Sequence, residues 1–308
     1  MSDHSARELQ PRERALLFTQ LAQLERAGIQ LLQALPILSR ELPPTPARRI
    51  STLRGYLNGG MPLARAGQLC GLWLPWEARL IEVAVEGGRL QTVCERLAAH
   101  YRQKVKYIST LKSRLPLPVA VLILGTFVAP LPALARGEIG VGAYLLGTAG
   151  RLSLLFLSIA LLFAYWRRLG TLDMPRYLGQ LQLTLPIIGG FTRRQQQRNY
   201  LASLALLLET GVPAIEALRL ASQSVANPVL RARFALAAGW VADGMPVATA
   251  LGHCGAIADP RIESLVEGGE IAGRLDAMLT YHIRQLDDFL DARLATIVDW
   301  APRVVMDW

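Results

Sequence analysis

An all-α chain made of two homologous helical bundles, separated by a transmembrane helical hairpin, is the fold class this sequence predicts. Three observations carry that reading. The same punctuation recurs in the same order over residues 20–111 and 203–296. Apolar residues in both stretches recur at helical spacing, and no segment alternates apolar and polar residues for long enough to argue a sheet. The only long apolar segments lie between the two stretches.

The repeat is read directly. In the first copy Ala27-Gly28-Ile29 is followed by Leu35, Gly60-Met61-Pro62, Ala66, Cys70-Gly71 and Gly88-Arg89-Leu90. In the second, Thr210-Gly211-Val212 is followed by Leu218, Gly244-Met245-Pro246, Ala250, Cys254-Gly255 and Gly273-Arg274-Leu275. Equivalents lie 183 residues apart at Gly28 and Gly211, 184 at Pro62 and Pro246, and 185 at Gly88 and Gly273. Chance matches of common residues do not keep so steady an offset, so the chain reads as a duplication.

Within each copy, Leu17, Leu21 and Leu24, then Leu31, Leu32 and Leu35, lie on helical spacing, as do Leu201, Leu204, Leu208 and Leu218. Gly28 and Gly211 suit the end of a first helix, where a left-handed residue lets the chain turn. Pro62, Pro75, Pro213, Pro228, Pro246 and Pro260 suit first helical turns, and Asn227 and Asp259 stand as N-caps before two of them. Each copy is therefore expected to hold five to seven short antiparallel helices. The last long helix of the first copy runs from near Leu90 through Tyr107 towards the membrane.

From Leu115 to Ala135 every residue is apolar, proline, glycine or threonine. As a helix at about 1.5 Å per residue this run spans roughly 30 Å, enough to cross a bilayer. A second span is expected over 144–166, with Arg151 as an interfacial anchor, because a charge at the bilayer centre costs about 2.5–3.5 kcal/mol; the alternative placement lays Ile139 to Gly150 along the outer surface, with the helix entering tilted or in thinned lipid. Arg102, Lys104, Lys106, Lys112 and Arg114 precede the first span, and Arg167, Arg168, Arg176, Arg193 and Arg194 follow the second. By the positive-inside rule both bundles face the cytoplasm. The boundaries that follow are 1–112 for the first bundle, 113–168 for the hairpin, 169–194 for a linker, 195–299 for the second bundle and 300–308 for a C-terminal stub.

Composition agrees with this layout. The hydrophobic content is 52% and the mean hydropathy +0.28, high for a soluble protein. The net charge of +9 does not gather into a stripe with interleaved aromatics, so a nucleic-acid partner is not expected. Three cysteines, Cys70, Cys94 and Cys254, cannot all pair, which fits a reducing compartment. No basic region followed by an apolar core opens the sequence, and no cleavable leader is expected.

Catalytic constellations are scarce. The sequence has no Gly-rich loop ending in Gly-Lys-Ser/Thr, no Gly-x-Ser-x-Gly and no His-Glu-x-x-His. His4, His100, His253 and His282 are scattered, and His253-Cys254 lacks the further ligands of a metal site. Glu263, Glu267, Glu270 and Asp276, with Asp287, Asp288 and Asp291, are interspersed with Arg261, Arg274 and Arg284, as on a solvated helix face with intrahelical ion pairs. A docking surface for a basic partner is the competing reading of this cluster. No catalytic, cofactor-binding or metal-binding residue is assigned.

The sequence resembles the inner-membrane platform proteins of type II secretion systems and type IV pili. The residues that carry the resemblance are Leu208-Glu209-Thr210-Gly211-Val212 through Ala217-Leu218, then Gly244-Met245-Pro246 through Ala250-Leu251, then Gly269-Glu270-Ile271-Ala272-Gly273-Arg274-Leu275. The first copy keeps Gly28, Leu35, Gly60, Pro62, Gly88 and Leu90, but Val85-Glu86-Gly87-Gly88 puts the glutamate one residue late. The resemblance implies six-helix cytoplasmic bundles and a multi-pass protein of the bacterial inner membrane without enzymatic activity or cofactor. It also implies the partners: a hexameric assembly ATPase, pilin-like subunits, other inner-membrane assembly proteins and further copies of the same chain. The repeated residues Gly28, Leu35, Gly60, Pro62, Gly88, Leu90, Gly211, Leu218, Gly244, Pro246, Gly269, Glu270, Gly273 and Leu275 are expected to serve structure or partner contact. Family members carry a third span after the second bundle, whereas this sequence stops at Asp307-Trp308. Two readings compete: a small transporter or channel component, and a decayed paralogue without assembly activity.

Overall fold

The computed structural model describes residues 8–114, 176–184, 188–257 and 261–306, together with 124, 125, 127, 128, 130–137, 140–150, 153 and 157 of the central stretch. Among these residues all regular structure is helical, as expected.

The first half contains α1 (Pro11–Arg26), α2 (Leu31–Glu41), α3 (Pro44–Asn58), α4 (Leu63–Leu69), α5 (Pro75–Glu86) and α6 (Leu90–Arg114). Local chemistry explains where they start. In α1, Pro11 takes the first turn, where its missing donor costs nothing, and the Glu13 carboxylate accepts the Gln10 amide at 2.7 Å. In α5, Pro75 does the same and Glu77 reaches back to the Leu74 amide at 2.6 Å. Leu17, Phe18, Leu21 and Ala22 bury one face of α1.

After α7 (Leu131–Ala135) and helical residues 141–150, the second half contains α8 (Arg176–Thr184), α9 (Ile188–Glu209), α10 (Ala214–Ser222), α11 (Pro228–Ala242), α12 (Val247–His253), α13 (Arg261–Ile271) and α14 (Leu275–Met306). Asn227 caps α11, its side chain accepting the amides of Val229 and Leu230 at 3.0 and 3.2 Å, with Pro228 next in the first turn. Pro62, Pro213 and Pro246 stand one residue earlier than expected, at the N-caps of α4, α10 and α12. Asp259 and Pro260 lie outside the described residues.

Counted by the repeat, α1 to α6 correspond to α9 to α14. Residues 1–106 and 175–287 make one compact unit, and its buried apolar side chains form one cluster that runs from Leu9 to Leu286. The second unit comprises 107–174 and 288–308. Within it the Tyr144 hydroxyl donates to the Phe127 carbonyl at 3.1 Å. The expected spans at 115–135 and 144–166, and Arg151 with them, lie largely outside the described residues, among which no helix is long and apolar enough to cross a membrane. Residues 300–306 continue α14.

Candidate functional site

The repeated residues sit at helix ends. Among the described residues, positive φ occurs at Gly28, Gly60, Gly71, Gly88, Gly137, Gly211, Gly244, Gly255 and Gly273. All but Gly137 fall into four equivalent pairs. Gly211 shows why: with φ at 90°, its amide donates to the Leu208 carbonyl and the next amide, of Val212, to the Leu207 carbonyl, both at 3.0 Å. Those two bonds satisfy carbonyls left open by the end of α9 and need a left-handed residue between them. Gly28, Gly60, Gly88, Gly244 and Gly273 make the same pair of bonds. Leu35, Leu90 and Leu218 are buried, and Leu275 packs against the core.

Gly269 and Glu270 bring helices together. A Cβ on Gly269 would lie 3.0 Å from Met278 Cγ and 3.1 Å from Leu275 Cα, so α13 crosses α14 closely at this point. Glu270, one residue on, reaches α12: its two carboxylate oxygens accept the amides of Val247 at 3.0 Å and Ala248 at 3.2 Å. It caps a neighbouring helix, a use that helical periodicity gave no sign of. Asp287, from the same acidic stretch, pairs with Arg198 of α9 at 2.8 Å.

A polar network that the sequence reading missed lies inside the first half. Arg14 of α1 donates to Glu77 of α5 at 2.5 Å and to the Leu72 carbonyl at 3.2 Å. The Tyr101 hydroxyl of α6 donates to the other Glu77 oxygen. Arg14 and Glu77 are both buried. Burial and the Glu77 charge push the Tyr101 hydroxyl well above its ordinary range. Burial, with the nearby Arg14 charge, lowers the Lys104 ammonium to about 8. The signal in the sequence was an arginine three residues before Leu17 on an otherwise apolar face.

The two halves touch through ion pairs. Arg79 of α5 meets Glu216 of α10 at 3.0 Å, and Arg96 of α6 meets Glu209 at the end of α9. Beside the first pair lies a groove of about 220 Å³, lined by Arg65, Gln68, Arg79, Glu82, Glu216 and Leu220 among others.

Nucleophilic and metal chemistry find little support in these side chains. Burial raises the Cys70 thiol to about 11 and also raises those of Cys94 and Cys254. Cys70 and Cys254 donate to the carbonyls of Ala66 and Leu251 within their own helices. The repeated Cys-Gly pair thus marks a helix end. Among the described residues no group of three or more His, Cys, Asp and Glu side chains is placed to hold a metal ion.

These features define a duplicated helical protein whose repeated residues terminate and join helices. The chain belongs to the family described as type II secretion system (T2SS), protein F, whose profile matches residues 17–134 and 200–303. Similar proteins include the type IV pilus assembly protein PilC of Thermus thermophilus, 29% identical over 308 residues, covering 92% of this chain and 75% of that protein. The type II secretion system protein F of Pseudomonas aeruginosa is 26% identical, with 95% and 77% covered. The protein transport protein HofC homolog of Escherichia coli is 24% identical, with 93% and 77% covered.

Proposed function

We propose that this chain is an inner-membrane platform of a type II secretion or type IV pilus machine, acting by binding and movement rather than by catalysis. In this reading a cytoplasmic assembly ATPase works against the platform, which passes displacement to pilin-like subunits and adds them to a filament, with other inner-membrane assembly proteins as neighbours. Residues 1–112 and 195–299 are the cytoplasmic bundles, 113–168 the membrane hairpin and 169–194 the linker. Arginines near the hairpin hold the bundles against anionic lipid. The repeated glycines, prolines and leucines keep the helices in register, and the exposed surfaces between them meet the partners.

The observation that supports this most is the family match over both halves of the duplication, 17–134 and 200–303. The names of relatives point the same way, to type IV pilus assembly and type II secretion. The test is crosslinking in native membranes, purification of the tagged full chain in mild detergent and mass spectrometry of what is recovered. Recovery of an assembly ATPase together with small single-span membrane proteins is expected. Recovery of the chain alone at native abundance would overturn the platform reading.

A further inference from the structure

The contact between the halves is one-sided, and the duplication says what its missing counterpart looks like. Inside the chain, α5 and α6 of the first half present Arg79 and Arg96, and α9 and α10 of the second present Glu209 and Glu216. Ala78 and Leu220, both buried, lie in the same contact. Under the repeat, the face of α5 and α6 corresponds to that of α13 and α14, where Ala78, Arg79, Glu82 and Arg96 become Glu263, Ser264, Glu267 and Tyr281. The face of α9 and α10 corresponds to that of α1 and α2, where Glu209, Glu216 and Leu220 become Arg26, Gln33 and Ile37.

Both counterpart faces are bare. Glu263, Ser264 and Glu267 are exposed where Ala78 is covered, and Tyr281 is 54% exposed. On α2, Gln33 and Arg40 are exposed, and Ile37 is 39% exposed where its equivalent Leu220 is at 7%. Leu32 on the same helix is also open to solvent. The charges are exchanged relative to the internal contact: acid now stands on the α13 face, and base, in Arg26 and Arg40, on the α2 side. Arg26, now paired with its neighbour Glu95, faces in this scheme the aromatic ring of Tyr281, a pairing that favours a guanidinium.

We propose that these two faces bind each other between chains, α2 of one copy seating on α13 of the next as α10 seats on α5 within the chain. The partner is a second copy of this chain. The contact is head-to-tail, so each dimer keeps one open α2 face and one open α13 face, and closure requires a ring while non-closure gives an open row. The pairing stands independently of which machine the chain serves.

The test uses two differently tagged full-length chains, expressed together and probed in membranes with a short thiol crosslinker. One carries Gln33→Cys and the other Ser264→Cys, with the unsubstituted chain as the control for the native cysteines. A mixed crosslink that requires both substitutions is expected. A second pair of variants rebuilds the internal Arg79 to Glu216 contact across the interface: Gln33→Glu alone, set against Glu263 and Glu267, lowers association about threefold, and adding Ser264→Arg on the partner restores or exceeds it, the scale of an exposed ion pair. Thermal melts of each variant in detergent check that folding is unchanged. Absence of the mixed crosslink overturns the proposal, whether the chain is then monomeric or assembles otherwise. A Gln33→Cys homodimer as the dominant product overturns it in favour of a two-fold contact.

Discussion

The two halves share their helix ends and differ in what fills the space between them. The first half places Arg14, Glu77 and Tyr101 in contact inside its core. At the equivalent positions the second half has Gln197, Ile262 and Leu286, all buried. The first half packs Trp73 onto Gly67, so closely that a Cβ on Gly67 would lie 1.5 Å from the indole nitrogen. In the second, a larger Leu251 and a smaller Ile257 occupy the equivalent positions. Phe18 stacks on Trp73 and Tyr101 in the first half, whereas Tyr200 stacks on Phe234 in the second. Backbone termination is a narrow requirement that left-handed glycine meets. Core volume is a shared requirement that several residue sets meet, provided they change together.

The largest effect expected from breaking this comparison comes at Glu77. Glu77→Ile puts the second half's residue into the first half and leaves buried Arg14 with the more distant Glu8, at 3.8 Å, as its counter-charge, which costs up to about 3–5 kcal/mol. The triple change with Arg14→Gln and Tyr101→Leu transfers the whole second-half solution and recovers most of that loss. Urea titration of the full chain in detergent measures both, and a triple variant no better than the single one would show that the sets are not interchangeable.

Next comes Gly67→Leu. With Trp73 held where it is, overpacking costs about 3 kcal/mol. Adding Trp73→Ile, the partner found in the second half, is expected to return the thermal midpoint most of the way. Coupling between the two substitutions is the quantity that matters, since residues in contact are the ones that fail to add.

Glu270 sharpens the comparison in the other direction. Its equivalent by the repeat is Val85, because the first half carries its glutamate one residue late, so α4 lacks the carboxylate that caps α12. Glu270→Gln is expected to cost about 1 kcal/mol by weakening two amide contacts, the scale of a helix cap, and to raise amide exchange first at Val247 and Ala248. Val85→Glu is the reciprocal change and is expected to add protection at Leu63 and Ala64. Unchanged exchange in the Glu270 variant would mean that the carboxylate does not hold the start of α12.

Helix ends were legible in the sequence because glycine, proline and asparagine are selected there by local backbone geometry: Gly28, Gly211 and Asn227 all stand where their chemistry placed them. The helices at Pro62, Pro213 and Pro246 start one residue later than a first-turn proline predicts, since proline fits the N-cap and the first turn alike. Arg14, Glu77 and Glu270 were not legible as partners. Their roles depend on residues 63, 58 or 22 positions away, and periodicity reports only which side of its own helix a residue occupies. The contact between halves was hidden for the same reason, with Arg79 and Glu216 separated by 137 positions.

The last effect is read against pH. His100 of α6 is buried, with its ring edge-on to Trp76 at 5.7 Å and to Tyr101 at 5.2 Å. Burial, then the charges of Arg198 and Lys104, hold its pKa well below the ordinary 6.5. Below about pH 6.5 the unfolded chain takes up a proton that the folded chain refuses, so the unfolded state binds more protons and stability rises with pH. The contribution is therefore full above pH 6.5 and is lost as the pH falls, at up to about 1.4 kcal/mol per pH unit for one proton. His100→Phe keeps an aromatic ring in the cavity and removes the titration, so its thermal midpoint is expected to fall less between pH 7 and pH 5 than that of the parent chain. Every other titratable group is common to both chains, so the difference between the two pH profiles isolates His100. Identical profiles would mean that the imidazole is hydrated and protonates in the folded protein as readily as in the unfolded one.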